Sequence, residues 1–344
     1  MNLPVQPPVA PMLARLSDEI PDGEGWRYEP KWDGFRAVVF RDAEKLELVS
    51  RNGQPLARYF PELLPALRDA LPTRCVVDGE IVIAAERGLD FDALLQRVHP
   101  AASRIAKLAK ETPASFVVFD LLALGEDDLR PKPFVERRRA LERLLRANPQ
   151  VHLTPQTDEL HVARRWFLRF EGAGLDGVVA KRADTPYLEG ERVMVKVKHR
   201  RTADCVVGGY RRAKQGGVGS LLLGLYDDEG QLQYVGHTSS FDAKARTALL
   251  KELAPLEGGQ SFGDGRAPGG PSRWNRGQST EWTSVTPTLV CEVTFDHLQG
   301  QRFRHATRFL RWRPDKPPAE CTFDQLVVAR PFSLAAIFES APHA

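Results

Sequence analysis

Short apolar or β-branched runs, each bounded by turn residues, recur along the chain. They predict strands at Ala37–Phe40, Leu46–Ser50, Val76–Ile83 and Phe116–Leu122. Helical spacing of apolar positions, with arginines gathered on one side, predicts helices over Val135–Arg146 and His161–Glu171. Val151–Thr154, Gly177–Lys181 and Val193–Lys198 carry the strand pattern again. In the last of these Lys196 and Lys198 alternate with Val195 and Val197, so both lysines leave one face of the strand. Near His199-Arg200-Arg201-Thr202 the character changes. Short strands follow at Cys205–Tyr210, Ser220–Tyr226, Gln233–Val235 and Leu289–Phe295, interrupted by one helix, Asp242–Leu253, with Ala245, Leu249 and Leu253 on one face. Many short strands with a single helix point to a small barrel, for which the oligonucleotide-binding type is the natural candidate.

The expected architecture is therefore α+β in two domains. Residues 1–200 form mixed, mainly antiparallel sheets with helices, and residues 201–344 form a β-barrel. A length of 344 residues suits that division, at roughly 100–200 residues per domain. Pro4, Pro7, Pro8 and Pro11 predict that the first ~20 residues lie extended over the surface. A Gly/Pro-rich stretch from Gly258 to Gly277 carries Arg266, Arg273 and Arg276.

An apolar fraction of 42% supports packed cores and argues against disorder. Lys and Arg number 48 against 45 Asp and Glu, so a basic surface must come from local clustering, not from net charge. No apolar run approaches the roughly 20 residues that span a bilayer, and the N-terminus lacks a signal-peptide pattern, so a cytoplasmic location is expected. Cys75, Cys205, Cys291 and Cys321 lie far apart, without CxxC pairs, in or beside apolar runs; they read as buried thiols, not as zinc ligands or a disulfide framework.

Glu29-Pro30-Lys31-Trp32-Asp33-Gly34-Phe35-Arg36 contains a K-x-D-G-x-R pattern, which chance supplies in roughly one chain of this length in a few hundred. Alone it also describes a strand end followed by a turn. Further along come Ser50-Arg51-Asn52-Gly53, Val77-Asp78-Gly79-Glu80-Ile81, Phe116–Leu122, Leu175-Asp176-Gly177-Val178-Val179-Ala180-Lys181, Val195-Lys196-Val197-Lys198 and Arg308–Lys316. In this order and spacing the chain resembles the covalent nucleotidyltransferases: ATP-dependent DNA ligases, RNA ligases and mRNA capping enzymes. The likeness spans essentially the whole chain. The runs Val218–Gly224 and Leu310–Lys316 resemble the bacterial ATP-dependent ligases of end joining in particular.

The resemblance implies an adenylation (nucleotidyltransferase) domain followed by an OB-fold, and a lysine amine that attacks the α-phosphorus of ATP. Holding a lysine neutral at pH 7 costs about 4–5 kcal/mol against a reference pKa near 10.4, so cationic, desolvated surroundings are expected around Lys31. Asp33 would oppose that unless it faced a metal ion. Lys31 is thus read as nucleophile, and Asp33, Glu80 and Asp176 as contacts for Mg²⁺ or Mn²⁺, with Glu80 also near the ribose. Asp176 stands where the family usually has Glu, so its coordination is expected to pass through water. Arg36 and Arg51 match ribose or phosphate contacts, and Lys181, Lys196 and Lys198 match phosphate contacts. Phe119 matches the residue that stacks on adenine, Val179 covers its other face, and Glu29 reads the adenine amino group. Arg313, with Asp315 and Lys316, would orient the pyrophosphate leaving group, implying closure of the second domain.

The activity so implied is ATP-dependent sealing of 5′-phosphate/3′-hydroxyl nicks through lysyl-AMP and an adenylated DNA end, in repair and end joining. Nicked duplex DNA and end-joining or repair proteins would be partners, and a monomer at the bacterial nucleoid is expected. Arg137–Arg139, Arg200–Arg201, Arg211–Arg212 and Arg302–Arg304 are candidate phosphate contacts. The alternatives are an RNA ligase, a GTP-dependent capping-type enzyme, or an inactive OB-fold nucleic-acid-binding protein.

Overall fold

The computed structural model describes all residues except 86–87, 100, 264–267, 269–280, 297, 327–331 and 340–344. Arg266, Arg273 and Arg276 lie outside the described residues. The chain forms two compact units, Met1–His199 together with the C-terminal stretch, and Arg200–Val327. The second unit therefore ends before the C-terminus, because the last helix, Leu334–Glu339, buries Leu334 and Ile337 in the first.

Two sheets make the first unit. The larger has seven strands, with Lys45–Ser50, Phe35–Asp42, Arg74–Ala85, Ala114–Leu124 and Asp127–Asp128 side by side, and Gly88–Leu89 and Val151–Leu153 pairing off that path. Its strands read as unbroken apolar runs because both faces are covered. Val39, Val77 and Val118 enter one core with Leu63 and Leu67 of the Leu63–Ala70 helix; Val38, Phe40 and Val76 enter another. That second core also takes Leu3, Val5, Val9 and Met12 from the N-terminal segment. The segment is thus extended but buried, which corrects the expectation that it lies over the surface. Its apolar residues have a groove to fill, and burying several of them outweighs the cost of ordering a short, proline-stiffened chain.

The smaller sheet orders its four strands as Ala14–Ser17, Met194–Lys198, Gly177–Arg182 and Trp26–Pro30. Val195, Val197, Val178 and Ala180 pack against Tyr28 and Ala163 on one face, leaving Lys196, Val179 and Glu29 aligned across the other. The helices Phe134–Leu144 and Leu160–Arg169 form close to their expected bounds, whereas Leu63–Ala70, Phe91–Arg97 and Ala102–Glu111 were not anticipated.

In the second unit Arg201–Arg212 is central, with Val218–Tyr226 then Leu232–Thr238 on one side and Val290–Phe295 then Arg308–Trp312 on the other. A parallel bridge, Thr238 to Thr307, closes the two ends, and the helix Ala243–Leu253 sits between the third and fourth main strands. This is the five-stranded topology of the OB-fold. Asp242 caps the helix by accepting from the Ala245 N–H at 2.8 Å. All four cysteines are buried and free.

Candidate active site

The Trp26–Pro30 strand ends at Lys31, whose backbone N–H donates to Gly177 O while its own carbonyl accepts from Asp176 N–H. These two bonds lock the K-x-D-G turn to the D-G turn that opens the Gly177–Arg182 strand. Both turns need glycine. A Cβ on Gly34 would lie 2.1 Å from Ile81 O, and Gly177 adopts φ +136° with its hypothetical Cβ 2.0 Å from Val197 O.

A cavity of about 500 Å³ opens between the sheets. Of the residues singled out in the sequence, Glu29, Lys31, Arg36, Arg51, Glu80, Phe119, Val179, Lys181 and Lys196 line it. Lys198 and Asp176 stand beside it: Asp176 Oδ2 is 2.5 Å from Lys31 Nζ and 2.9 Å from Lys198 Nζ. Asp33 acts on Lys31 through its charge. Arg313 and Lys316 belong to the other unit.

The electrostatics around Lys31 differ from expectation. Burial by itself lowers its pKa, but contact with Asp176 and the charges of Asp33 and Glu80 outweigh it, so the ammonium is held above the usual lysine value. A cation-ringed neutral amine was expected; the amine here is a charged one facing carboxylates. Lys196 does move down, because it is partly buried and faces the charges of Lys31 and Lys198. Burial pushes the Glu80 carboxyl up to about 7, against the opposing pull of Lys31 and Arg36.

Arg36 makes a bidentate pair with fully buried Asp78, Nε to Oδ1 at 3.0 Å and Nη2 to Oδ2 at 2.5 Å. The Tyr187 hydroxyl donates to the same carboxylate at 2.6 Å and accepts from the Met12 N–H at 3.2 Å, tying the N-terminal segment to Arg36. Arg36 also lies over the Phe119 ring, 5.1 Å from its centre, and Lys181 Nζ lies at 4.7 Å. Lys181 is buried in an ion pair with Glu29 at 2.7 Å. Glu29 further accepts from Gln156 at 2.9 Å and faces Arg138 at 3.7 Å.

Arg137 and Arg138 are fully buried, and this corrects their reading as surface phosphate contacts. Arg137 clamps Asp120 and Arg138 bridges Glu29 and Glu142, whereas Arg139 remains exposed. Sequence reasoning also missed Asp78, Tyr187, Gln156 and the cavity wall made by Ala10, Pro11, Leu13, Ala14 and Arg192. Asp78 carried a signal, an acid set in an apolar strand two residues before Glu80. Tyr187 carried none.

In the second unit Arg313 is saturated by carboxylates: Nη1 reaches both oxygens of Asp204 at 2.9 and 3.0 Å, and Nη2 reaches Asp315 at 2.8 Å. That contact holds the Asp315 carboxyl down at about 2. Lys316 pairs with Glu320 at 2.9 Å.

Residues 11–198 match the family model of the ATP dependent DNA ligase domain, and residues 214–316 that of the ATP dependent DNA ligase C terminal region. The chain is 53% identical over 350 residues to DNA ligase C1 of Mycolicibacterium smegmatis, covering 98% of this chain and 99% of that one. With DNA ligase C of Mycobacterium tuberculosis it shares 51% over 346 residues, covering 95% and 96%. It is 33% identical over 301 residues to the multifunctional non-homologous end joining DNA repair protein LigD of Mycobacterium tuberculosis, covering 86% of this chain and 37% of that protein. A solved Lig E DNA ligase matches with a TM-score of 0.54 at 20% identity, covering 88% of this chain and 99% of that one, a likeness of fold.

Proposed function

The chain belongs to the ATP-dependent DNA ligases, and from that premise we propose that the cavity binds ATP and that Lys31 is the residue that becomes adenylated. Its membership sets aside the RNA-joining, guanylate-transferring and non-enzymatic alternatives. The observation that carries the reading is the placement of the Lys31 amine on a concave wall with Phe119, Val179, Arg36, Lys181 and Lys196.

Phe119 offers a stacking face for adenine, with Val179 opposite and Glu29 positioned for its amino group. Arg36 and Glu80 suit the ribose end, and Arg51, exposed on the lining, suits phosphate. Lys196 and Lys198, on the strand face that carries the cavity, suit the phosphate oxygens as negative charge spreads at the α-phosphorus. Lys181, consumed by Glu29, serves better as a prop for that carboxylate than as a phosphate contact. The Lys31 ammonium passes a proton to Asp176 and on to solvent, its Nζ lone pair bonds to the α-phosphorus as the bond to pyrophosphate breaks, and a second proton then leaves the nitrogen for solvent. AMP then passes to the 5′-phosphate at a nick, and the 3′-hydroxyl displaces it. Arg313 and Lys316 exchange Asp204, Asp315 and Glu320 for the departing pyrophosphate.

A divalent cation suits Asp33, Glu80 and Asp176. Their negative charge already converges on an ammonium, and Mg²⁺ held largely by phosphate and water needs only one or two carboxylates. Among the described residues no three His, Cys, Asp or Glu side chains are grouped so as to hold a metal ion, so Asp33, Glu80 and Asp176 would not hold one by themselves and the nucleotide phosphates would have to supply the other ligands. The bound ion would supply charge neutralisation at the phosphates. We assign the enzyme to nicks in bacterial repair and end joining, working at the nucleoid as a single chain with repair proteins as partners. No helix among the described residues is long and apolar enough to cross a membrane. Labelled ATP tests the assignment: AMP should be retained by the native chain and not by Lys31→Ala, and label from GTP should be retained by neither. Equal labelling of both chains by ATP would refute it.

A further inference from the structure

The helix Leu334–Glu339 lies beyond both matched regions, yet it packs behind the nucleophile. Phe338 stacks on Trp32 with ring centres 5.2 Å apart and planes 5° from parallel, and on His152 at 3.8 Å and 15°. Trp32 directly follows Lys31, lines the cavity, and donates its Nε1–H to Thr154 Oγ1 at 2.9 Å. The same apolar cluster holds Leu334 and Ile337 against Val82, two residues past Glu80, and Leu175, the residue before Asp176. The helix thus lies behind the chain at three points of the corner where Lys31, Glu80 and Asp176 meet. At its start Phe332 packs on Phe170 at 5.4 Å, with the Arg169 guanidinium over its ring.

We propose that this C-terminal helix is a strap that positions Lys31, and that Phe338 is its positioning residue, fixing the indole of Trp32 and through it the nucleophile's turn. A Trp32 ring stacked on one face and hydrogen-bonded at its edge has one orientation; with Phe338 removed the stacking partner is lost, and the edge bond and the rest of the apolar cluster hold the ring less closely. Displacing a reacting amine by about 1 Å costs up to a hundredfold in rate. The strap acts on the steps that make and break the bond between Lys31 Nζ and phosphorus, and not on the last, because attack of the 3′-hydroxyl on an already adenylated end does not involve the Lys31 amine. This inference takes Lys31 as the adenylated residue.

The test is single-turnover kinetics on the full-length chain, with Phe338→Ala and Phe338→Tyr. Phe338→Ala is expected to slow adenylation on the order of tenfold at saturating ATP. Sealing of a pre-adenylated nick should stay within about twofold of the native rate, and Phe338→Tyr, which keeps the ring, should restore adenylation. Unchanged adenylation in Phe338→Ala overturns the proposal, as does a parallel fall in both steps or a failure of Phe338→Tyr to rescue. Peptide mapping of the native adduct separates the two claims: AMP on another residue sinks the Lys31 assignment, whereas AMP on Lys31 with no Phe338 effect sinks only the strap.

Discussion

Lys31 Nζ and Asp176 Oδ2 lie 2.5 Å apart, with Lys198 Nζ at 2.9 Å from the same oxygen. One carboxylate thereby holds two ammonium groups in place before any substrate enters. The nucleophile is stored charged, and its activation is tied to whatever reorganises that carboxylate. Asp176→Ala should lose adenylation by on the order of a hundredfold, because the carboxylate that fixes the Lys31 and Lys198 amines in place is removed, a loss that outweighs the easier deprotonation of Lys31. Chelation of divalent cations should abolish adduct formation, and restoring Mg²⁺ or Mn²⁺ should recover it. Adduct formation at the native rate in excess chelator would contradict the assignment of these carboxylates.

Glu80 gives a pH-dependent stability. Its pKa rises from an ordinary 4.5 to about 7 on folding, chiefly through burial. The neutral form is favoured in the fold, so the stability it contributes is complete below pH 4.5 and is lost as pH rises through 7. Glu80→Gln should thus be more stable than the native chain at pH 8, by on the order of 3 kcal/mol, and equal to it near pH 4. Melting temperatures across that range, without metal or nucleotide, decide it; a constant difference at all pH values would show that Glu80 does not titrate this way.

Asp78 should prove structural before it proves catalytic. Asp78→Ala leaves the Arg36 guanidinium without its bidentate partner, a change that costs about 3 kcal/mol for a mostly buried pair. Tyr187→Phe removes the hydroxyl's bond to the same carboxylate and the one it accepts from the Met12 N–H, and should cost about 2 kcal/mol. Denaturant unfolding measures both, and the order of the two losses is the point: a larger loss for Tyr187→Phe would place the centre of the network elsewhere.

The arginine run 137–139 separates buried from exposed charge. Arg138→Ala should lower the melting temperature and leave the salt dependence of DNA binding unchanged. Arg139→Ala should leave melting unchanged and reduce the salt slope of binding by about one phosphate contact. Binding titrations at several ionic strengths check this, and a reduced slope in Arg138→Ala would mean that the side chain reaches DNA.

Arg313→Ala and Lys316→Ala should lower adenylation on the order of tenfold or more while sparing the sealing of pre-adenylated nicks, since both are assigned to the leaving pyrophosphate. Equal losses in both steps would move them to DNA contact.

The strand runs, the break at His199 and the K-x-D-G-x-R segment were legible because each has a local cause: β-branched runs, a change of texture, and glycines at turns that admit no side chain. That Lys196 and Lys198 share one strand face was legible from alternation, whereas their expected place at the phosphates came from the resemblance, since a solvated edge strand shows the same pattern. The buried N-terminal segment, the C-terminal helix and Tyr187 were not, since each is fixed by partners far along the chain. Leu3 and Val5 reveal a groove only once Val38 and Phe40 have formed it. Arg137 and Arg138 misled because a basic helix face reads as solvated until Asp120 and Glu29 come to meet it. The charge state of Lys31 misled for the same reason: Asp176 lies far away in sequence, and adjacency in space decides the sign.

Mass spectrometry of the purified full-length chain, before and after ATP and divalent cation, tests the central claim most directly. The account predicts a mass increase of one AMP, carried by the peptide that contains Lys31 and released when nicked DNA is added. No increment, or an increment on a peptide without Lys31, contradicts it.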